Sequence, residues 1–334
     1  MKVFFIDRYG SKGSVRAGEM PEPALREDDI LVQIHAAGVN LLDALIQKGE
    51  FKLFLPYKPP FIIGHDLAGV VVKVGSRVQK FSVGDEVYAR PADYRIGTFA
   101  EFIAVNERDV ALKPKQLTME EAASIPLVGL TAWQALVEIA NVKQGQKVFI
   151  QAGSGGVGTF AIQLAKHLGA FVATTTSTSN VEMVRSLGAD VVIDYKKEDF
   201  ATKLKDYDVV LHSSRDAKVL DQSLRMLKPG GILITLTGPP TPEFAKKLGV
   251  AWYLVFVTKL LSAGVKKKAK KLHVNFSFLF MKADGEALGQ ITSLIDSGVI
   301  RPVVDKVFPF ESTPAALAYV ETSRAKGKVV VKVR

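Results

Sequence analysis

The sequence predicts an α/β protein in which a doubly wound parallel sheet is joined to a second domain rich in β-strands. From Thr118 onward, apolar strands alternate with helical runs, the pattern of a parallel sheet covered by helices on both faces. Residues before about 105 instead contain β-branched runs that end at glycines. A glycine-rich turn at 153–158 connects a predicted strand to a predicted helix, which supports the same fold class.

Changes in pattern along the chain divide it into three segments. Residues 1–122 are predicted to form the first part of the β-rich domain. Residues 123–270 form the α/β domain, with an apolar insertion at about 239–270. Residues 271–334 return to the β-rich domain.

Local signals define two individual helices in the first segment and at its end. The segment LLDALIQK (41–48) is a short helix that stops at Gly49. The segment TMEE is a capping box, in which the Thr118 hydroxyl caps a helix and Glu121 reaches back to the cap. This second helix marks the start of the alternating region.

Composition limits the class of protein. The chain has 334 residues, a net charge of +10 and no cysteine. It has no run of about 18 apolar residues, so no membrane-spanning helix is predicted. The apolar run in MKVFFIDRYGSKG is too short for a signal peptide. A chain without disulfides suits a reducing compartment, and we expect a cytoplasmic protein.

The segment VFIQAGSGGVGTFAIQLAKHLGA carries the strongest functional signal. Gly153, Gly155 and Gly158 fit the pattern G-x-G-x-x-G between a strand and a helix. In a dinucleotide site the first glycine makes the tight turn, the second lets the pyrophosphate approach, and the third lets helix and strand pack closely. The N-terminus of the helix then offers N–H groups to the phosphates. The alternative is a purely structural turn.

The end of the next strand favours NADP(H) over NAD(H). An NAD site places an acidic residue about 20 positions after the glycines, where it binds the ribose 2′-hydroxyl. The corresponding stretch is FVATTTSTSN, and no Asp or Glu occurs between Gly153 and Glu182. Hydroxyls such as those of Thr176 and Ser177 can donate to a 2′-phosphate without repelling it. The alternative is a neutral loop with no cofactor preference.

Taken together, these segments resemble the medium-chain dehydrogenase/reductase superfamily. The resemblance runs along essentially the whole chain, through AAGVNLLDALIQKG, IIGHDLAGVVVKVG, FSVGDEVYA, TAWQAL, GSGGVG, SLGADVVIDY, LKPGG and RAKGKVVVKV. It implies a Rossmann-type nucleotide domain and a GroES-like catalytic domain. Within the superfamily, GADVVIDYKKEDF and SGVIRPVVDKVFPF resemble the zinc-independent quinone reductase and alkenal/enone reductase branch.

The resemblance also bears on metal binding. Zinc alcohol dehydrogenases of this superfamily take ligands from a Gly-His-Glu segment and from cysteines. This chain has Asp66 after His65, has Asn40 and Leu41 where a cysteine is expected, and contains no cysteine. A catalytic zinc needs three protein ligands and an open position. We therefore expect no metal, and we predict that His65 is a pocket or core residue.

Without a Lewis acid, a conjugated acceptor is easier to reduce than a simple ketone. The chain is therefore predicted to be an NADPH-dependent oxidoreductase that transfers hydride to quinones or α,β-unsaturated carbonyls. The candidate catalytic residues are Asn40 and Tyr57, although Asn40 can equally cap the 41–48 helix and Tyr57 can equally be a packing residue. By resemblance, the expected cofactor contacts are Asn40, Thr131, Gly153, Ser154, Gly155, Gly156, Val157, Gly158, Thr176, Ser177, Tyr195, Leu236, Phe280 and Lys328.

The sequence leaves two alternatives to this function. A zinc alcohol dehydrogenase is disfavoured because the chain lacks cysteine. An NADPH-responsive protein that binds RNA or a membrane surface would use the net charge of +10. No RNA-binding motif with interleaved aromatic residues supports the RNA version, so we expect no nucleic-acid partner.

The expected partners are a small lipophilic quinone or enone and a second copy of the chain. By resemblance, the chain forms a homodimer through its nucleotide domain, where edge strands of the two sheets pair. The apolar strand GGILITLTG (230–238), late in that sheet, supports the same expectation.

Most of residues 239–282 are additional to a minimal nucleotide domain. The central VAWYLVFV is apolar on every side, which is unlike an ordinary solvated helix. One reading packs this segment against the body of the protein or a dimer partner. The other makes it an apolar lid, lined by Trp252, Tyr253 and Phe256, for a lipophilic acceptor. In that reading the basic run VKKKAKK (265–271) makes peripheral contact with an anionic membrane.

Overall fold

The computed structural model describes residues 1–10 and 15–334, which form two compact units. Unit 1 contains Met1–Leu130 and Lys282–Arg334, and unit 2 contains Thr131–Met281. Unit 2 is therefore inserted into unit 1 along the chain, and the α/β fold with a strand-rich second domain is confirmed.

Unit 1 is built mainly from strands. They are β1 (Lys2–Ile6), β2 (Val15–Glu19), β3 (Asp29–Val39), β4 (Phe61–Ile62), β5 (Asp66–Val74), β6 (Glu86–Ala89), β7 (Phe102–Asn106), β8 (Val110–Leu112), β15 (Val304–Pro309) and β16 (Lys328–Lys332). Its helices are α1 (Leu41–Lys48), α2 (Met119–Ala123), α10 (Gly285–Asp296) and α11 (Thr313–Glu321). Helix α3 (Pro126–Trp133) carries the boundary between the units and continues as a π-helix, Gln134–Ile139.

The larger sheet of unit 1 is completed by the end of the chain. Its strand order is β15-β16-β3-β5-β6-β8, with β7 also paired to β3, and a smaller sheet has the order β2-β1-β4. Strand β16 pairs antiparallel with β3, with Val329 opposite Val39. Neither segment of unit 1 therefore makes this sheet alone.

Unit 2 contains a six-stranded parallel sheet. Its strands are β9 (Lys147–Ile150), β10 (Phe171–Thr176), β11 (Val191–Asp194), β12 (Tyr207–His212), β13 (Leu227–Thr235) and β14 (Asn275–Phe278). The strand order is β11-β10-β9-β12-β13-β14. After β9 the chain therefore adds β10 and β11 on one side, and then β12, β13 and β14 on the other. The helices are α4 (Gly156–His167), α5 (Val181–Ser186), α6 (Phe200–Lys203), α7 (Ala217–Arg225), α8 (Pro242–Lys247) and α9 (Trp252–Lys271).

The last strand of this sheet moves the end of unit 2. Strand β14 lies beyond residue 270, the expected end of the α/β domain, and pairs with β13, so the return to unit 1 comes only at Lys282. The apolar segment 230–238 overlaps β13, which is paired on both sides by β12 and β14. Strands β11 and β14 are the two edges of the sheet.

The predicted end of the 41–48 helix and the predicted capping box at Thr118 are both confirmed. Each depends on interactions between residues that are close in the sequence. Helix α1 ends at Lys48, and Gly49 follows in the left-handed conformation with φ of 84°. At the start of α2, the Glu121 N–H donates to the Thr118 hydroxyl at 3.2 Å, and the Thr118 N–H donates to the Glu121 carboxylate at 3.0 Å.

Residues 239–282 fold as α8, α9 and β14. Helix α9 places Val265 and Ala269 in the core of unit 2, but the side chains of Trp252, Tyr253 and Phe256 are exposed by 81%, 54% and 54%. These three side chains are thus mostly exposed in the single chain, and the reading that packs them against a dimer partner stays a prediction. Within residues 1–10 and 15–334, every helix is too short or too polar to cross a membrane.

Candidate active site

Unit 1 contains a buried ion pair between the last strand and the start of β5. The Lys328 ammonium donates to the Asp66 carboxylate at 3.0 Å, to the Asn40 amide oxygen at 2.7 Å and to the Val39 carbonyl at 3.2 Å. Asp66 also accepts from the Asn40 amide at 2.9 Å and from the Leu127 N–H at 2.7 Å. Both buried charges are thus paired and hydrogen-bonded, as burial of an ion pair requires.

Asn40 takes part in this network and also stands at the N-cap of α1. Its side-chain amide contacts Lys328 and Asp66, and Asn40 and Asp43 form a capping box at the start of the helix. In this box the Asn40 backbone N–H donates to the Asp43 carboxylate at 2.8 Å. The amide is therefore held in one orientation by two charged groups. The role of Asn40 as a cofactor contact stays a prediction.

A second buried pair lies next to the first. His65 Nδ1 is 2.5 Å from the Asp43 carboxylate, and both side chains are fully buried. Because a carboxylate accepts, the imidazole donates its Nδ1–H. His65 Nε2 makes no hydrogen bond within the described residues. Asp43 thereby connects the ring of His65 to the backbone of Asn40.

A glycine allows these side chains to come together. A Cβ at Gly38 would lie 2.4 Å from the Ala123 carbonyl oxygen and 2.9 Å from the Asp66 carboxylate. Strands β3 and β5 pair at this point, with Gly38 opposite Asp66. The absence of a side chain at Gly38 leaves room for the carboxylate that binds Lys328.

Tyr57, the other candidate catalytic residue, is buried in unit 1 within an aromatic cluster. Its ring stacks on Phe61 at 5.1 Å between centroids and lies against Tyr94 at 5.6 Å. Burial, with a smaller contribution from the charge of Asp93, raises the pKa of Tyr57 above its ordinary value. The hydroxyl therefore keeps its proton over the whole range in which proteins are normally studied.

In unit 2, the glycine turn has the geometry of a dinucleotide cradle. A Cβ on Gly153 would lie 2.1 Å from Thr174 Oγ1, and one on Gly158 would lie 2.3 Å from the Ala152 carbonyl, so both positions are tightly packed. A Cβ on Gly155 would meet only that same carbonyl, at 3.4 Å, so the backbone there is open. Gly155 is the N-cap of α4 and has no side chain to satisfy the first N–H groups.

These features meet the requirements of a pyrophosphate site. Two glycines close the turn and the third leaves the backbone accessible, while the N-terminus of α4 supplies N–H donors and a positive partial charge. Ser154, Gly156 and Val157 lie in the same turn. The turn follows β9, and the chain reverses its winding direction between β9 and β12, the place where open parallel sheets bind ligands.

The ends of β10 and β11 bring together the residues expected near the 2′-position of the ribose. The Tyr195 N–H donates to the Thr176 carbonyl at 3.1 Å, and Ser177 follows Thr176 directly. Thr176 Oγ1 is buried and makes no hydrogen bond within residues 1–10 and 15–334. The Tyr195 side chain is exposed. A buried hydroxyl without a partner fits a polar ligand at this edge.

The register of these strands reveals a carboxylate that the search between Gly153 and Glu182 missed. Asp194 lies directly opposite Thr176. The Thr178 hydroxyl donates to it at 2.6 Å, and Lys197 lies 3.6 Å away. The hydrogen bond from Thr178 holds the pKa of Asp194 below its ordinary value. Sequence spacing alone gives no signal for a residue brought in from the neighbouring strand.

The other predicted contact residues are spread over unit 2. Thr131 is buried in α3. The Leu236 N–H donates to the His212 carbonyl at 2.9 Å, directly after β13. The Phe280 ring contacts Phe244 at 5.4 Å, in the segment that follows β14.

His212 is a further titratable group at this edge, and the sequence analysis gave it no role. It ends β12, is buried, and lies opposite Thr235 of β13. Burial lowers the pKa of His212 to about 4, so its imidazole is neutral at pH 7. A histidine that ends an apolar strand, as in YDVVLH, is the signal that could have identified it.

In the described part of the chain, no group of three or more His, Cys, Asp or Glu side chains could hold a metal ion. The cation that Asp66 contacts is the ammonium of Lys328.

Comparison with known proteins places this geometry in a family. The family model of the alcohol dehydrogenase GroES-like domain matches residues 26–115, and that of the zinc-binding dehydrogenases matches residues 187–331. The human mitochondrial NAD(P)H oxidoreductase RTN4IP1 is 34% identical over 100% of this chain and 89% of its own length. This chain belongs to the medium-chain dehydrogenase/reductase superfamily.

Two further members of the superfamily are similar along the whole chain. The chloroplastic NADPH-dependent alkenal/one oxidoreductase of Arabidopsis thaliana is 35% identical over 99% of this chain and 79% of its own. The quinone oxidoreductase of Coxiella burnetii has a solved structure with a TM-score of 0.87, 30% identity and coverage of 100% and 99%. Since named relatives include mitochondrial and chloroplastic proteins, the cytoplasmic location stays a prediction.

The buried ion pair leads to a stability prediction. Lys328→Met leaves the Asp66 carboxylate buried without its cation, so the free energy of unfolding should fall by about 3–5 kcal/mol. Adding Asp66→Asn should recover part of this loss, because the unpaired charge is removed. Chemical unfolding followed by fluorescence measures both effects. Lys332→Met, which removes an exposed pair with Glu120 from the same strand, is the control and should cost about 1 kcal/mol or less. Equal losses in the two single variants would contradict the prediction.

His212 leads to a prediction about pH. Between pH about 6.5 and about 4 the unfolded chain binds a proton at this residue that the folded chain does not. Stability should therefore fall as the pH is lowered through this window, with a contribution from His212 on the order of 3 kcal/mol. His212→Asn should make the unfolding free energy less dependent on pH in this window, and His167→Asn, which replaces an exposed histidine of the same unit, is the control variant. Parallel pH profiles for His212→Asn and the wild type would refute this account.

Proposed function

We propose that this protein is an NADPH-dependent oxidoreductase that reduces quinones or α,β-unsaturated carbonyls. The observation that carries the proposal is the glycine turn, which is tight at Gly153 and Gly158 and open at Gly155. It follows β9, from which the chain adds strands first on one side and then on the other. The names of the relatives, which include a quinone oxidoreductase and an alkenal/one oxidoreductase, support the class of acceptor.

The preference for NADPH rests on the strand ends next to this turn. The unpartnered hydroxyl of Thr176 and the hydroxyl of Ser177 are donors suited to a 2′-phosphate. The carboxylate of Asp194 would oppose a phosphate, but it already accepts from Thr178 and from the Lys196 N–H, and it lies near the Lys197 ammonium. Its charge is therefore largely compensated by its neighbours.

When bound, a nicotinamide supplies the hydride, and the protein has to orient the acceptor and stabilise the charge that moves to its oxygen. We assign Tyr57 as the donor to that oxygen, since burial keeps its hydroxyl protonated. Asn40 and Lys328 are fixed by Asp66 and are proposed to contact the cofactor. Thr131, Leu236 and Phe280 stay predicted cofactor contacts.

The proposed reaction is independent of metal. The chain has no cysteine, and the Asp66 carboxylate accepts from the Lys328 ammonium. In the described part of the chain, His65 Nε2 makes no hydrogen bond, but this histidine does not belong to a group of three or more residues that could hold a metal ion. A conjugated acceptor, which spreads the incoming charge onto its own oxygen, suits such a site.

We also propose a homodimer formed through unit 2. Strand β14 is the edge of the sheet on the side of β13, and its outer backbone groups can pair with a second copy. Light scattering at micromolar concentration should give twice the mass of the 36.3 kDa chain. A mass equal to one chain would refute the dimer.

The reaction class is tested with a panel of acceptors. With NADPH, quinones and enones should be turned over at least about tenfold more efficiently than simple ketones, because a simple ketone needs a Lewis acid. Elemental analysis should find no stoichiometric zinc, and a chelator should leave turnover unchanged. Preferential reduction of simple ketones, or activity lost to a chelator and restored by zinc, would overturn the proposal.

Cofactor preference is tested by measuring kcat/KM for NADPH and NADH with one enone. NADPH should be preferred, and Ser177→Asp should lower kcat/KM for NADPH by about tenfold or more through repulsion of the 2′-phosphate. The value for NADH should change little. Ser297→Asp, which adds the same charge at an exposed position in unit 1, is the control. Equal or better use of NADH by the wild type would contradict this assignment.

A further inference from the structure

Helix α9 presents large apolar side chains to solvent. Over its first ten residues, Trp252, Tyr253, Phe256, Leu260 and Leu261 are exposed by 81%, 54%, 54%, 62% and 56%. An α-helix turns by about 100° per residue, so Trp252, Phe256 and Leu260 lie along one face of α9. A contiguous exposed patch of this kind marks an interaction surface.

The opposite, buried face of α9 is only partly apolar. Its buried residues are Leu254, Thr258, Ser262, Val265 and Ala269. The Thr258 hydroxyl donates to the Val255 carbonyl and the Ser262 hydroxyl donates to the Thr258 carbonyl, each at 2.8 Å, so these polar groups are satisfied within the helix. The inward face thus combines two aliphatic residues, Leu254 and Val265, with small and hydroxylated ones, while the largest apolar side chains of the helix face outward. Packing within unit 2 does not explain the outward residues.

The helix is held in this orientation by contacts on its second half. Val265 and Ala269 belong to the core of unit 2. The Lys266 ammonium pairs with Glu243 of α8 at 2.8 Å, and Lys268 pairs with Asp221 of α7 at 2.9 Å. Rotation of α9 to hide its apolar face would expose core residues and break both pairs.

Lysine side chains lie on the same outward face of α9, beyond its apolar residues. At 100° per residue, Lys267, Lys270 and Lys271 project on the same side as Phe256 and Leu260, and all three lysines are exposed. The outward face of α9 is therefore apolar in its first half and cationic in its second. A protein partner would need a matching pair of apolar and acidic patches, whereas an anionic lipid bilayer has both properties everywhere on its surface.

We propose that the outward face of α9 docks this protein onto an anionic lipid bilayer. Trp252, Tyr253, Phe256 and Leu260 enter the boundary between headgroups and acyl chains, where aromatic residues are favoured. The ammonium groups of Lys267, Lys270 and Lys271 contact lipid phosphates. The helix lies on the membrane and does not cross it. This docking goes beyond the proposed reaction and does not depend on it, although it would bring the protein to lipophilic acceptors dissolved in the bilayer.

Vesicle flotation with the full wild-type chain tests the proposal directly. The protein should bind vesicles made of equal parts phosphatidylglycerol and phosphatidylcholine, and should bind much more weakly to pure phosphatidylcholine. Added salt should weaken binding, because it screens the attraction of lysine for the anionic surface. No binding to the mixed vesicles at low salt would overturn the proposal.

Three triple variants identify the surface. Lys267→Gln, Lys270→Gln and Lys271→Gln together should lower the partition coefficient by on the order of 100-fold, at roughly 5-fold per lysine. Trp252→Ser, Phe256→Ser and Leu260→Ser together should lower it by more than about tenfold. The control combines Lys143→Gln, Lys203→Gln and Lys205→Gln, which removes the same charge from exposed positions elsewhere in unit 2. Far-UV circular dichroism should show the wild-type melting transition in all three.

The outcomes separate a membrane from the other occupants of this face. Equal loss of vesicle binding in the control triple variant would show that net charge alone binds the lipid, and would overturn the assignment to α9. The face binds a second copy of the chain if two results are found together. The wild-type protein would not bind vesicles, and light scattering would show an oligomer for the wild type but not for the variant with Trp252→Ser, Phe256→Ser and Leu260→Ser. Loss of vesicle binding in both α9 variants and its retention in the control supports the proposal.

Discussion

The contact between Lys328 and Asp66 is the interaction on which unit 1 depends. The two residues are 262 positions apart, with the whole of unit 2 between them in the chain. The same strands pair along their backbones, since β16 pairs with β3 and β3 pairs with β5. The ion pair therefore joins the first and last segments of the chain at the point where Asn40 and His65 are positioned. Closing such a long loop costs entropy, and the hydrogen-bonded charges help to offset it.

The side chains in this region restrain one another. Asp66 fixes Lys328 and Asn40, and Asp43 links the Asn40 backbone to the ring of His65. Because each partner is buried, the cost of leaving any one charge unpaired is high, and the side chains have few alternative arrangements. Rigid placement of polar groups is what binding and catalysis require of a protein, and here it follows from the need to satisfy buried charges.

In unit 2, the candidate pyrophosphate site is formed by backbone geometry. The turn after β9 packs Gly153 and Gly158 so closely that neither accepts a side chain, while Ala152 takes a left-handed conformation with φ of 53°. These constraints direct the first N–H groups of α4 outward at the edge where β10 and β11 also end. The hydrophobic effect fixes the rest of the unit except along α9, whose apolar face is left in water by the packing of its opposite side.

The sequence by itself determined the features that depend on neighbouring residues. The alternation of strands and helices, the end of α1 at Gly49 and the capping box of Thr118 are local, and so is the order of glycines in the turn. The similarity of successive motifs to a known superfamily also follows from the chain alone. These predictions succeed because backbone conformation within a few residues is governed by sterics and short hydrogen bonds.

Only the tertiary structure decided which distant side chains meet. It joined Lys328 to Asp66, placed Asp194 opposite Thr176, and moved the end of unit 2 past residue 270 by adding β14 to the sheet. It also decided which face of α9 is buried, because a segment that is apolar on every side carries no periodic signal of direction. The physical reason is the same in each case: strand pairing and core packing act across the chain, and spacing along the sequence does not encode the register at which they occur.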